Sequence, residues 1–166
     1  MRTVKIEELS LEAFWPFGAY AHHLNPTTEK LGARPVEFFR DMAQLDLGRA
    51  TIASFSTCRV EKRKWVIDVT EYHTSSGEAI LPLDNDVLIH VGPATPANSP
   101  ALDKIRVFRV PRGTLVVLRP GVWHHAPFAV SDGPANVLIV LPERTYANDC
   151  VVVPLSEEER IRIEPV

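Results

Sequence analysis

Apolar stretches of strand length, some of which alternate apolar and polar residues with a period of two, lie along much of this 166-residue chain. The clearest stretches are ATIASFSTCRV, KWVIDVTEYH, EAILPL, DVLIHVG, KIRVFRVP, TLVVLRP, VWHHAPFAV and ANVLIVLP. A period of two is the repeat of a half-buried strand. The links between them, such as TSSG, PLDND and SDGPA, carry the residue types that turns require. About eight short strands without alternating helices predict a mainly β domain, either a sandwich or a closed double-sheet jelly roll.

Helical signals are weak and lie near the start. The segment LSLEAFWPFGAY predicts one short helix that is capped by Ser10 and ended by Pro16. The segment RPVEFFRDMAQLD fits either a helical turn or a strand, and the acidic piece SEEERIRIE is expected to be a solvated surface element. Residues 1–166 contain no internal repeat and are expected to form a single domain.

Composition narrows the range of partners. A net charge of −3 offers no basic surface for nucleic acid, and no apolar run is long enough to cross a membrane. The opening MRTVKIEELSLEAF lacks the apolar centre of a signal peptide. The two cysteines do not indicate a disulfide framework, so we expect reduced thiols and a cytoplasmic location. A small molecule is the expected partner.

Polar side chains interrupt the apolar face of one predicted strand. In KWVIDVTEYH, Trp65, Ile67 and Val69 share a face, and the same face continues to Glu71 and His73. A buried carboxylate is costly unless it is paired or binds a metal. The end of this strand is therefore a candidate site.

The adjacent histidines of GVWHHAPF raise the same question. On a strand that begins at Val122, His124 shares the face of Val122 and Ala126, whereas Trp123 and His125 point the opposite way. We therefore expect His124 to point inwards and His125 outwards.

These residues, with Glu78 across the TSSG turn, form a coherent set of metal ligands. Imidazole and carboxylate together suit a divalent ion such as Ni, Zn, Mn or Fe. The expected metal ligands are Glu71, His73, Glu78 and His124. The alternative is structural: Glu71 and His73 would form a surface ion pair at a strand end, and His124 would be a hydrogen-bonded core residue.

The spacing of this set resembles the two metal motifs of the cupin superfamily, H-x-H-x3–4-E and P-x-G-x-x-H. Glu71 stands at the position of the first histidine. The other ligand positions hold His73, Glu78 and His124.

A closer resemblance is to the ureidoglycolate lyase family, which is cupin-like in fold. EAFWPFGAY is similar to the family's eaF-x-pfGd, TEYHTSSGEAILPL to its lErHp-x-s-Q-aFiPl, GVWHHAPFAV to its G-x-WHHpl-fa, and NDC to its late n-C. Two features differ: the family's usual Gln is Glu78 here, and its INxGt element has no clear counterpart in TEKLGARPVEFF.

This resemblance implies a cupin-like double-stranded β-helix, or jelly-roll barrel, with a short N-terminal helix. It also implies a carbon–nitrogen lyase that cleaves ureidoglycolate, or a similar small ureido or 2-hydroxy acid, to glyoxylate and urea. Such an elimination needs a base, an acid and positive charge at the oxygens, the last supplied by a divalent metal ion.

Roles for further residues follow from the same resemblance. The expected catalytic residues are His124 and His125, and the expected substrate-binding residues are Trp123, Arg119 and His90. Arg109 and Arg40 are further candidates for a substrate carboxylate.

Alternatives remain open. They are a cupin that binds a small ligand without turnover, which the missing INxGt element favours, and a metal-dependent cupin enzyme of other chemistry. A homodimer is expected in either case.

Overall fold

Most of the chain is β-strand in the computed structural model, which describes residues 1–165. The strands are β1 (Arg2–Glu8), β2 (Gly18–His22), β3 (Lys30–Ala33), β4 (Val36–Phe39), β5 (Ala53–Val60), β6 (Val66–Ile67), β7 (Val69–Tyr72), β8 (Glu78–Pro82), β9 (Val87–Val91), β10 (Arg106–Val110), β11 (Thr114–Leu118), β12 (Phe128–Ala129), β13 (Ala135–Pro142), β14 (Val151–Pro154) and β15 (Ile161–Glu164). The helices are α1 (Leu11–Phe14) and α2 (Thr145–Asn148), with a 3-10 turn at Leu102–Lys104. Neither helix is long and apolar enough to span a membrane, over the residues described.

Two larger sheets build the body of the protein. One has the strand order β12-β9-β10-β1-β15-β6, and the other has the order β2-β11-β8-β13-β5. A single buried cluster takes alternate residues from both sheets, such as Ile89 and Phe108 from the first and Val116 and Ile139 from the second. The prediction of a mainly β, double-sheet fold is therefore confirmed.

A second apolar cluster covers the other face of the six-stranded sheet. The last strand of the chain, β15, pairs with β1 and β6 and buries Ile161 and Ile163 in this cluster. Arg162 between them stays exposed, as a period of two requires. The expectation that SEEERIRIE is only a solvated element is therefore wrong for its last residues, whose alternation is real but short.

The predicted strand KWVIDVTEYH is divided into two at Asp68. Before this residue β6 pairs with β15, and after it β7 pairs with β14. The carbonyl of Asp68 accepts a hydrogen bond from the amide of Leu155, which is outside both ladders. A change of partner breaks the period of two, and Thr70, expected on the outer face, is buried.

The segment around the double histidine is not one continuous strand either. Trp123 pairs with Gly92, but the next residue, His124, pairs with Glu71 on a different sheet. Regular pairing returns only at β12, where Phe128 lies opposite Leu88 on β9. The partner changes between two successive residues, so alternation does not assign their sides correctly here.

The predicted short helix is confirmed as α1, and the Ser10 side chain caps it by accepting the amide of Ala13 at 3.2 Å. Within the ambiguous segment RPVEFFRDMAQLD, Val36–Phe39 form a strand, β4, which pairs with β3 in a separate two-stranded hairpin.

Asp86 ties the start of β9 to the end of β10. Its carboxylate accepts two hydrogen bonds from the Arg109 guanidinium, at 2.7 and 3.0 Å, and one from the Arg112 amide at 2.8 Å. Partial burial raises the pKa of Asp86, but these donors lower it by more, so that it lies below its ordinary value. Arg109 therefore has a partner within the fold.

We predict that Asp86→Asn lowers the free energy of unfolding by about 1 kcal/mol near neutral pH, because it removes a charge-assisted contact. Because the pKa of Asp86 is lower in the folded state, its ionised form stabilises the fold at pH values above the unfolded pKa of about 4. This contribution is lost as the pH falls below that value towards the folded-state pKa. Urea unfolding of both proteins across that range should show the difference shrinking in acid. Asp103→Asn, at an exposed position, is the control; equal stability of Asp86→Asn and wild type would contradict the prediction.

Candidate active site

Three buried side chains meet where β7 ends and β8 begins. The Glu78 atom Oε2 lies 3.1 Å from Nε2 of His73 and 3.0 Å from Nε2 of His124. All three residues are buried, with at most 6% of their surface exposed. His73 follows β7, Glu78 opens β8, and the His124 backbone pairs with Glu71, so neighbouring strands bring them together.

The opposite ring nitrogens determine the protonation of both imidazoles. Nδ1 of His73 donates to the carbonyl of Asp149, and Nδ1 of His124 donates to the carbonyl of Val122, each at 2.8 Å. A neutral imidazole that donates from Nδ1 has a lone pair on Nε2. Two such lone pairs would then face the Glu78 carboxylate, which is also an acceptor. This arrangement requires a cation between the groups, either a proton or a metal ion.

Without a metal, a proton has to take that place. Burial by itself raises the pKa of Glu78, but the imidazoles of His124 and His73 lower it to about 2. For His124 burial lowers the pKa, but the charge of Glu78 raises it by more, so that the pKa of His124 lies above its ordinary value. The buried carboxylate is thus negative and holds positive charge beside it.

The donor spacing also fits a metal ion. Ligands of one ion at about 2.0–2.1 Å lie about 2.9–3.4 Å apart at octahedral or tetrahedral angles. The two imidazole–carboxylate separations of 3.0 and 3.1 Å fall in this range. Backbone carbonyls that hold the other ring nitrogen are the usual outer partners of metal-binding histidines. His73, Glu78 and His124 therefore form a candidate metal centre.

A second donor set adjoins the first through His73. Ligand atoms of Glu71, His73 and Cys150 lie within 4.8 Å of one another, and the Cys150 thiol donates to Oε2 of Glu71 over 3.6 Å. Burial, and then the Glu71 charge, raise the pKa of this thiol to about 11. Glu71 and Cys150 are only half-buried, so the site opens to solvent on their side.

His125 lies on this open side of the site. Its Nε2 is 3.9 Å from Oε2 of Glu71, and its side chain is 26% exposed. The expectation that His125 points away from the cluster is wrong, because the segment changes strand partner one residue earlier. Burial lowers the pKa of His125, and the charge of Arg63 lowers it further against the opposing effect of Glu71. A neutral, partly exposed imidazole thus adjoins the candidate metal centre.

Comparison with known proteins assigns the family. The family model described as ureidoglycolate lyase matches residues 1–163. The chain belongs to the ureidoglycolate lyase family. A relative named ureidoglycolate lyase from Pseudomonas aeruginosa is 26% identical over 170 residues, covering 99% of this chain and 98% of the relative. One of the same name from Rhodobacter capsulatus is 32% identical over 127 residues, covering 75% and 77%.

Among solved structures, the chain is similar in part to oxalate decarboxylase of Bacillus subtilis, a protein with Mn(II) centres. The TM-score is 0.44 at 14% identity, and the match covers 62% of this chain and 24% of that one.

Several residues that the ureidoglycolate lyase resemblance suggested for substrate binding have partners within the fold. Trp123 is buried, packs against Tyr72 and donates from Nε1 to Thr95 at 2.9 Å. His90 is also buried, with Nε2 3.2 Å from Oγ1 of Thr70, and burial keeps its pKa well below the ordinary value.

The arginines expected from the sequence also lie at identifiable places. Arg119 stacks over Trp15 and lines a cleft of about 460 Å³ whose lining residues include none of the metal-centre cluster. Arg40 lies 3.9 Å from exposed Glu29, and Arg109 is bound to Asp86. Their roles in substrate binding remain predictions.

Three further residues near the site were not predicted from the sequence. Arg63 donates to the carbonyls of Ala126 and Pro127, at 2.9 and 3.2 Å, and so holds the chain just after His125. Asp149 accepts from the amides of residues 74 and 75, in addition to bonding His73 through its carbonyl. The Tyr146 ring lies 6.4 Å from that of His73, and its phenol has a pKa raised to about 12, first by burial and then by the two glutamates. Arg63 lies in the charged stretch EKRK, which has no hydrophobic period that could place it. Of the three residues, only Asp149 lies in a motif, NDC, that the sequence offered as a signal.

We predict that Glu78→Gln weakens binding of a divalent metal at least tenfold. Loss of outer partners alone costs about 10–100-fold in affinity, and this change removes a candidate ligand's charge. The glutamine amide can donate to one Nε2 lone pair, so the metal-free variant should keep the wild-type fold. Calorimetric titration with Zn²⁺ or Mn²⁺, with melting curves of the metal-free proteins, measures both. Unchanged metal affinity would contradict the assignment.

Proposed function

We propose that this protein is a ureidoglycolate lyase that cleaves the C–N bond of ureidoglycolate, or of a closely similar ureido acid. The observation that carries the proposal is a neutral imidazole, His125, held beside a buried His–Glu–His cluster in a chain of this family. We also propose that the bound group is a divalent metal ion and that the enzyme works in the cytoplasm.

The reaction needs a hydroxyl proton to leave the reacting carbon and a proton to reach the departing nitrogen. His73, Glu78 and His124 would hold a divalent ion, which would supply positive charge to stabilise the oxyanion that develops on the substrate. Neutral His125 takes the hydroxyl proton, and the C–O bond gains double-bond character as the C–N bond breaks. The electron pair leaves with nitrogen, which receives the same proton from His125. The products are glyoxylate and urea, and the imidazole returns to its neutral state.

Neighbouring charges suit this transfer. Glu71, 3.9 Å from His125, favours the imidazolium that forms when the proton is taken. Arg63 and burial favour its return to neutral, since both lower the pKa of His125. We propose Arg63 as a further candidate for the substrate carboxylate, because its bonds to the carbonyls of Ala126 and Pro127 hold its guanidinium beside the segment that carries His125.

We predict that the metal-loaded protein releases urea from ureidoglycolate at a rate proportional to enzyme concentration and above the uncatalysed background. His125→Asn should lower kcat about 10²–10⁴-fold, the usual contribution of a general acid–base group, while metal content stays unchanged. Urea and glyoxylate should be measured together as initial rates. His23→Asn, at an exposed position, is the control.

Absence of urea above background in metal-loaded wild-type protein would overturn the proposed function. Thermal stabilisation by ureidoglycolate without turnover would favour a small-ligand-binding module instead.

We further propose that the protein is a homodimer that associates through the β3–β4 hairpin. The hairpin register places Leu31 opposite Phe38 and Ala33 opposite Val36, on one face. All four are exposed, Val36 to 74% and Phe38 to 60%. An isolated two-stranded hairpin is marginally stable, and an exposed apolar face commonly marks an interface.

We predict that Phe38→Lys shifts the protein from dimer to monomer, because it places a charge in the apolar face. Sedimentation velocity over a range of concentrations measures the change. Leu83→Lys, at an exposed apolar position outside the hairpin, should leave the dimer intact. A wild-type protein that is monomeric at every concentration would contradict the proposed dimer.

A further inference from the structure

Cys150 lies in the open side of the candidate metal centre, in a position set by backbone pairing. Strand β14 pairs with β7 so that Val151 is opposite Tyr72 and Val152 is opposite Glu71. One step beyond this ladder, Cys150 comes opposite His73. Residues paired across an antiparallel ladder share a face, and so do residues two apart along one strand. Glu71, His73 and Cys150 are therefore directed to the same side.

Distances within this group match those between ligands of one ion. The Cys150 sulfur lies 3.6 Å from Oε2 of Glu71. A sulfur at about 2.3 Å and an oxygen at about 2.0 Å from one tetrahedral zinc ion are about 3.5 Å apart. The ligand atoms of Glu71, His73 and Cys150 all lie within 4.8 Å of one another.

His73 connects this group to the buried cluster. Its Nδ1 is engaged with the carbonyl of Asp149, so only Nε2 can bind a metal. The same Nε2 lies 3.1 Å from Glu78. His73 is common to both sets. The two sets therefore adjoin each other, with oxygen and imidazole donors on the buried side and a thiol on the exposed side.

We infer that Cys150 is a sulfur ligand of the metal ion, which makes this centre selective for thiophilic divalent ions of the zinc and cobalt class. The inference rests on the metal centre of the proposed function. On binding, the S–H bond gives up its proton to solvent and the sulfur binds as a thiolate, so metal uptake releases a proton. The competing arrangement is an N/O centre in which Cys150 remains a thiol bonded only to Glu71.

Cobalt(II) is the probe that separates these arrangements, because a thiolate ligand gives an intense near-ultraviolet charge-transfer band that nitrogen and oxygen ligands do not give. The reduced, metal-free protein is titrated with Co²⁺ alone, while absorbance and proton release are recorded. We expect the band to rise to saturation with Co²⁺ in wild type. Cys150→Ser should lose the band and bind Co²⁺ at least about tenfold more weakly, as loss of a ligand requires.

Two further variants control for misfolding and for the other thiol. Cys58→Ser removes the protein's other cysteine, a half-buried residue on β5, and should keep the band. Cys150→Asp replaces sulfur by an oxygen ligand and should recover part of the affinity without the band. Melting curves of the metal-free variants check that each one is folded.

The failures are distinguishable. Co²⁺ binding that shows only the weak visible bands of nitrogen and oxygen ligands, with no band from sulfur, overturns the role of Cys150 and leaves the His–Glu–His centre standing. A band that disappears in Cys58→Ser rather than Cys150→Ser also overturns it. Absence of any Co²⁺ binding overturns the metal centre and this inference together.

Discussion

The site depends on the contact of two imidazole nitrogens with one carboxylate oxygen. Because each Nδ1 is committed to a backbone carbonyl, Nε2 of both His73 and His124 faces Oε2 of Glu78. Three acceptors in a buried space repel one another unless a cation lies among them. The barrel around them fixes the backbone carbonyls, so the rings cannot turn away without losing those bonds. The fold thus requires a cation at this place, and the chemistry of the site depends on which cation binds there.

Backbone irregularity is what brings the polar groups together. The chain changes strand partner at Asp68 and again between Trp123 and His124. Each change lets a short segment leave one sheet and pair near the site. The gain is that His125 follows His124 onto the open side of the same cluster, which a regular strand would prevent. Carbonyls that leave the regular ladder need other donors, and Arg63 donates to those of Ala126 and Pro127.

The same irregularity limits what the sequence can predict. Alternation and short apolar runs predicted β8, β9, β10, β11 and β13, because each of these strands lies inside one of the two larger sheets, between two paired neighbours. It also selected Glu71, His73 and His124, since a polar residue that continues an apolar face is anomalous whether or not the strand is regular. It failed for His125 and Thr70, because a change of partner resets the phase of the alternation. Cys150 and Asp149 could not be placed from their own pattern, since their position depends on the pairing of β14 with β7.

The exposure of the ligands argues for a division of work within the site. His73, Glu78 and His124 are buried and held on both sides, so they suit an unchanging task such as holding a cation. Glu71, His125 and Cys150 are half-buried and make longer contacts, of 3.6 and 3.9 Å, with one another. In the proposed mechanism His125 gives and takes protons and needs this freedom, because a proton transfer shortens and lengthens its contacts in turn. A rigid buried half beside an adaptable open half therefore allows the charge to stay fixed while the substrate's protons move.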